Sequence, residues 1–192
     1  VPQRHDITGL VLAGGRGARF GGRDKGLIEH AGVPLALHAL RTLAPQVGAL
    51  LVSANRNAAA YAQWAAVVAD DEPHHLHGPI AGMLAALAVI DTPWLAVVPC
   101  DLPGLPADAV ARLAHAVGTA HCAHAAAEGR HALVCLLHRD TRPLLAAQLA
   151  RGERRIGALY AALGSTAVPF AATELVNLNA PADLAAHPTP DA

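Results

Sequence analysis

The feature that most constrains this chain is an apolar run, Ile7-Thr8-Gly9-Leu10-Val11-Leu12-Ala13, that breaks off abruptly into glycines and arginines. A run of that length without polar alternation reads as a strand covered on both faces, which in turn demands a sheet with helices on either side. The segment that follows, residues 14–26, holds six glycines and four basic residues and has no apolar periodicity. It must be loop, because glycine at that density neither propagates a helix nor packs in a strand.

The remaining sequence alternates in the same sense. A helix is expected from about Pro34, with Leu35, Leu37, Leu40 and Leu43 as its apolar positions, then a strand at 49–54. A helix at 58–64 and a brief strand at 67–69 run into the acidic pair Asp70 and Asp71. A helix at 79–90, apolar nearly all round, precedes a strand at 94–98 that stops at Pro99-Cys100-Asp101. Beyond it the pattern predicts a helix from 106 or 107 to 117, strands at 122–127 and 132–138, and helices at 142–150 and 155–163. A last strand at 175–178, a short helix after Pro181 and a frayed tail at 188–192 complete the reading. Strands alternating with helices predict a three-layer α/β/α, Rossmann-like fold with a mostly parallel sheet in a single domain.

Composition narrows the function classes. With 53% hydrophobic and 15% charged residues, the chain can bury a sizeable core and is no disordered tail. No stretch reaches the roughly 20 uninterrupted apolar residues needed to span a bilayer, so no membrane association is expected. The first residues lack a secretory cleavage pattern, and the three cysteines, Cys100, Cys122 and Cys135, are isolated from one another. Reduced thiols and a cytoplasmic location are expected. A net charge of −1 supplies no basic field for a nucleic acid backbone, so the expected partner is a small molecule.

In an open parallel sheet, ligands bind beyond the carboxyl ends of the strands. After the first strand, consecutive glycines allow backbone amides to approach phosphate oxygens, and Arg16, Arg19, Arg23 and Lys25 add positive charge. The loop is not a P-loop, since Arg23-Asp24 stands where Lys-Ser or Lys-Thr belongs. It is not a dinucleotide fingerprint either, since Phe20 occupies the third glycine position. Asp71 and Asp101 follow the third and fourth predicted strands and face the same crevice. Mg²⁺ takes one or two protein carboxylates and completes its shell with phosphate oxygens and water; Asp101 is the first choice of ligand. Read alone, the loop is also compatible with a solvated surface turn, Asp71 with loop solvation, and Asp101 with a helix cap.

The segment Leu12-Ala13-Gly14-Gly15 through Lys25 resembles the signature of the molybdenum cofactor guanylyltransferases. Val52-Ser53-Ala54-Asn55-Arg56, Gly78-Pro79-Ile80-Ala81-Gly82-Met83, Pro99-Cys100-Asp101, Gly152-Glu153-Arg154-Arg155 and Val176-Asn177-Leu178-Asn179 are similar to that family in the same order. The resemblance implies a nucleotide-diphospho-sugar transferase fold and the transfer of GMP from GTP to a phosphate of molybdopterin, with Mg²⁺ as cofactor and pyrophosphate released. It implies that Leu12, Ala13, Gly14, Gly15, Lys25, Asn55, Asp71, Gly82 and Asp101 serve the nucleotide, with Asp101 on the metal. It further implies catalytic parts for Lys25, Asp101 and Arg19, and places Arg154, Arg155, Asn177 and Asn179 toward molybdopterin.

On this reading residues 1–105 form the GTP and Mg²⁺ half, 106–187 the molybdopterin half, and the protein is a monomer that meets cofactor-maturation proteins and molybdoenzymes. The family's His-Pro-Thr is kept only as His131 in Arg130-His131-Ala132-Leu133, which weakens any acceptor role for that strand. Competing readings are a CTP-dependent cytidylyltransferase, disfavoured by Gly14 in Leu-Ala-Gly-Gly, and a non-catalytic GTP-binding cofactor carrier. His74, His75 and His77 read as a solvated turn, and Cys122 with His124, on one strand face, offers too few ligands for zinc.

Overall fold

A computed structural model describes residues 1–13, 21–70, 78–180 and 182–183. The expectations for Gly14, Gly15, Arg19 and Asp71, like that for the His74–His77 turn, fall outside the described residues. Nine strands and six α-helices follow in chain order among those described: β1 Ile7–Leu12, β2 Glu29–His30, β3 Val33–Pro34, α1 Leu35–Leu43, β4 Ala49–Ser53, α2 Ala58–Tyr61, β5 Ala66–Val68, α3 Pro79–Val89, β6 Trp94–Pro99, α4 Ala109–Ala116, β7 Cys122–Ala127, β8 Arg130–His138, α5 Arg142–Ala150, α6 Ile156–Leu163 and β9 Thr166–Pro169.

Seven strands form one sheet in the order β5-β4-β1-β6-β8-β7-β9. The first run of the sequence lies at its centre, parallel to β4 on one side and β6 on the other, with Val11 opposite both Val52 and Val98. Alternate side chains of β1 enter two separate cores, as continuous apolar strands require. Ile7 and Val11 pack with Leu40 and Leu43 of α1, Tyr61 of α2 and Leu113 of α4. Leu10 packs with Ile80 and Met83 of α3, Leu145 of α5 and Leu159 of α6. The result is the expected α/β/α sandwich.

The sheet is parallel except at β8, which runs antiparallel to both β6 and β7. The cause is local. Glu128 and Gly129, at φ 50° and 75°, make a two-residue turn between β7 and β8, and a turn with both central residues at positive φ joins neighbouring strands only as a hairpin. A second hairpin, β2 with β3, interrupts the stretch before α1.

The expected strand at 175–178 does not form. Residues Ala172–Leu175 are a 3₁₀ helix, and the sheet edge beyond β7 is taken by β9, Thr166–Pro169. That strand is only four residues long and ends in proline, which is tolerated at an edge but weakens its signal in sequence. Two helices are also shorter than expected: α2 stops at Tyr61 and α4 starts at Ala109. In α1 the buried face is Leu35, Ala36, Ala39, Leu40 and Leu43, with Leu37 turned off it. Among the described residues no helix is long and apolar enough to cross a membrane.

Candidate active site

The carboxyl ends of β1, β4 and β6 are stitched together where the chain leaves the sheet. The amide of Ala13 donates to the Ser53 carbonyl at 2.9 Å, and that of Cys100 donates to the Leu12 carbonyl at 3.1 Å. These bonds carry the strand ladder one residue further and hold Leu12, Ala13 and Asp101 at one edge. Asn55 does not stand alone there: its Nδ2 donates to Asp70 Oδ2 and its Oδ1 accepts from the Asp70 amide, both at 2.8 Å. Asn55 and Asp70 thereby couple the segments that follow β4 and β5.

The far end of the glycine-rich loop is fixed by a residue that the sequence pattern marks only as a P-loop mismatch. Asp24 accepts from the Tyr61 hydroxyl at 2.5 Å, from Asn57 Nδ2 at 2.9 Å and from the Gly26 amide at 3.2 Å. Burial, then the bond to Asp24, pushes the Tyr61 hydroxyl well above its ordinary range, so it stays a proton donor. A side chain at Gly26 would collide with that hydroxyl and crowd Ala13. Asp24, Asn57 and Tyr61 thus position the residue between Asp24 and Gly26, which is Lys25.

Lys25 Nζ donates to Asp101 Oδ2 and, at 3.2 Å, to Asn179 Oδ1. The Lys25 and Asp101 side chains are only 16% and 14% exposed, so solvent screens this ion pair less than one on an open surface. Asn179 reaches the pair by a route set in the second half of the chain. Arg112 of α4 donates to Glu174 Oε1 at 3.0 Å and to the Pro169 carbonyl at 2.7 Å, and lies over the Phe170 ring at 3.6 Å. This ties residues 169–175 along α4. The Leu178 amide then donates to the Asp101 carbonyl at 2.9 Å, and Asp183 Oδ2 accepts from the Asn179 amide at 2.7 Å. Asn179, expected toward the acceptor, therefore meets the lysine that holds the Asp101 carboxylate.

Asp101 Oδ1 is buried and has no hydrogen-bond partner among the described residues. A buried carboxylate oxygen left in this way is costly unless something else occupies its lone pairs. A hard cation fits that position. No cluster of three or more histidine, cysteine or carboxylate side chains suited to a metal occurs among the described residues; an ion at Asp101 would have to complete its shell with water and phosphate oxygens. Burial, then the Asp101 charge, raises the neighbouring Cys100 thiol to about 12, which keeps it protonated at neutral pH.

The other expected residues separate into two groups. Gly82 is buried in α3, where a Cβ would strike Ser53 Oγ and Leu12 Cδ2, and its lack of a side chain lets the helix close on β1 and β4. Arg154, Arg155 and Asn177 are exposed. Glu153 gathers the amides of Arg154 and Arg155 at 3.0 and 2.9 Å and the Arg155 guanidinium at 2.8 Å. Those bonds hold its carboxyl down at about 2.

Residues 9–167 match the MobA-like NTP transferase domain family. The chain is 42% identical over 177 residues to a molybdenum cofactor guanylyltransferase of Serratia proteamaculans, covering 91% of this chain and 90% of that one. It is 43% identical to a protein of the same name from Cupriavidus metallidurans, covering 96% and 95%. In fold it resembles the crystal structure of molybdopterin-guanine dinucleotide biosynthesis protein A from Archaeoglobus fulgidus, with a TM-score of 0.73 at 20% identity, covering 93% of this chain and 95% of that one. A mostly parallel sheet with a glycine-rich sequence after β1, and identity above 40% over nine-tenths of these relatives, lead to one conclusion: the chain belongs to the MobA-like NTP transferase family.

Proposed function

We propose that this protein transfers GMP from GTP to a phosphate of molybdopterin, releasing pyrophosphate and forming molybdopterin guanine dinucleotide. The names of its near-full-length relatives support the reading, and one observation carries it: Lys25, Asp101 and Asn179 converge beside the strand end that opens the glycine-rich loop, with Asp101 Oδ1 buried and unsatisfied among the described residues. In the reaction, an oxygen of the acceptor phosphate bonds to the α-phosphorus of GTP as the α–β bridging bond breaks, and the electron pair leaves on pyrophosphate. The nucleophile is already an anion, so the chain has to supply position and positive charge and needs no general base.

Lys25, positioned between Asp24 and Gly26, brings charge to the triphosphate, which lies beside Leu12 and Ala13. Asp101 would hold Mg²⁺ through Oδ1. When bound there, Mg²⁺ neutralises and polarises phosphate oxygens. Asn55, locked to Asp70, faces the nucleoside side, with Asp71 next to it in sequence. Residues 1–105 make the nucleotide half and 106–187 the acceptor half, with Arg154, Arg155 and Asn177 directed to the acceptor and Asn179 at the seam. Arg19 acts within the loop. The test is pyrophosphate release by the purified protein with Mg²⁺ and molybdopterin, with GTP, CTP, ATP and UTP in parallel. Release with GTP is expected; release with CTP instead would make the enzyme a cytidylyltransferase, and silence with bound GTP would make it a carrier.

A further inference from the structure

At the acceptor end of the sheet, four side chains form a chain of hydrogen bonds running from the core to the surface. Ser165 Oγ donates to Cys122 Sγ at 3.0 Å, His124 Nδ1 meets Ser165 Oγ at 2.7 Å, and His124 Nε2 meets His131 Nδ1 at 2.8 Å. His124 is 2% exposed and stacks on Tyr160, with ring centroids 4.0 Å apart. His131 is exposed. Burial first, then the neighbouring His131, lowers His124 to about 4, so it is neutral at physiological pH and carries one ring hydrogen.

The direction of the chain follows from counting hydrogens. Ser165 spends its only hydrogen on Cys122, so its oxygen accepts from His124 Nδ1–H. His124 Nε2 is then an acceptor, and His131 Nδ1 must donate to it. His131, an exposed residue, is left with its Nε2 outside this chain of bonds. With a hydrogen on Nε2 the ring donates outward while Nδ1–H still donates to His124.

The location gives the outward atom a purpose. Because β7 is parallel to β9 and antiparallel to β8, the Glu128-Gly129 turn and His131 lie at the carboxyl edge of the sheet. A Cβ on Gly157 would lie 3.6 Å from the His131 ring, so the ring sits at the N-terminal end of α6, just after Arg154 and Arg155. A helix N-terminus favours anions. A buried polar network is costly in desolvation where apolar side chains would fill the same volume; what this one achieves is a single orientation and tautomer for an exposed imidazole.

Contrary to the expectation that Ala132-Leu133 weaken an acceptor role for this strand, we propose that His131 is an acceptor-binding residue whose Nε2 contacts an anionic phosphate monoester, the acceptor of the transfer, and that His124, Ser165 and Cys122 are positioning residues behind it. The assignment rests on the function proposed above. His131→Asn keeps an inner donor and removes the outer nitrogen. It raises KM for molybdopterin roughly tenfold, the loss of a hydrogen bond to a charged group, and leaves KM for GTP unchanged. His131→Gln, which restores an outer amide, recovers part of the loss. Ser165→Ala gives a smaller rise in the same constant, and molybdopterin moves the His131 Nε2 resonance in the wild type.

The experiment is the set of KM values for both substrates, with the imidazole nitrogen resonances followed during a molybdopterin titration. A wild type that turns over, beside a His131→Asn variant with unchanged acceptor KM, overturns this assignment alone. A wild type that releases no pyrophosphate from GTP and molybdopterin overturns both readings.

Discussion

Lys25 and Asp101 lie 76 positions apart in sequence and meet as a partly buried ion pair in which one carboxylate oxygen takes the lysine and the other takes no partner among the described residues. The pair joins the loop after β1 to the end of β6, and Asn179 joins both to the C-terminal segment.

Asp101→Asn keeps the shape of the side chain and removes half of what an ion would need. We expect turnover to fall about a hundredfold or more at saturating Mg²⁺, in line with the several kcal/mol a catalytic metal contributes. Lys25→Met leaves the Asp101 charge partly buried without its cation, so its unfolding temperature falls, and Mg²⁺ with GTP restores more of it than in the wild type. Steady-state rates and thermal unfolding check both. Near-normal turnover of Asp101→Asn would remove the metal role.

Asn179→Ala removes the acceptor that faces Lys25 Nζ at 3.2 Å. A hydrogen bond to a charged group contributes about 1.5–3 kcal/mol, so a loss of roughly ten- to a hundredfold in kcat/KM is expected, visible with GTP as the varied substrate. A change confined to the acceptor KM would return Asn179 to the acceptor side alone.

Gly82→Ala separates packing from ligand binding. The new methyl meets Ser53 Oγ and Leu12 in the seam between α3 and the sheet, and overpacking of this kind costs about 1–3 kcal/mol. The unfolding temperature should drop by several degrees, about 2–4 °C per kcal/mol for a chain of this size, with KM for GTP retained. An unchanged unfolding temperature with a raised KM would show Gly82 at the nucleotide.

The legibility of this chain in sequence differs by element for physical reasons. The apolar runs of β1 and β6 and the glycine loop between strand and helix are local signals, and they sufficed for the layered fold, for Asp101 at a strand end and for Lys25 in the loop. The hairpin that reverses β8 depends on a two-residue turn at Glu128, a residue without strong turn preference, and β9 is too short to carry a period. Asp24 was hidden because its partners are Asn57, just ahead of α2, and Tyr61 within it, and no pattern in the loop announces them. Asn179 entered only through the family resemblance, and its meeting with Lys25 requires the whole path along α4.

Acid stability reports on the buried histidine. His124 is lowered from 6.5 to about 4, so between those values the unfolded chain binds more protons than the folded one and stability falls as pH falls. The contribution is fully present above pH 6.5 and lost as pH drops through about 4, up to about 3 kcal/mol at 1.36 kcal/mol per unit. Denaturant midpoints of the wild type and His124→Gln across this window test it; equal slopes for the two proteins would contradict the assignment.

The most direct test of the central claim is the fate of a labelled α-phosphate of GTP in the presence of Mg²⁺ and molybdopterin, with wild-type protein and Asp101→Asn side by side. The account predicts that the wild type moves the label onto molybdopterin with one pyrophosphate released per transfer, and that Asp101→Asn does so at least about a hundredfold more slowly. Label that stays on bound GTP in the wild type, or an Asp101→Asn protein that transfers at the wild-type rate, would contradict it.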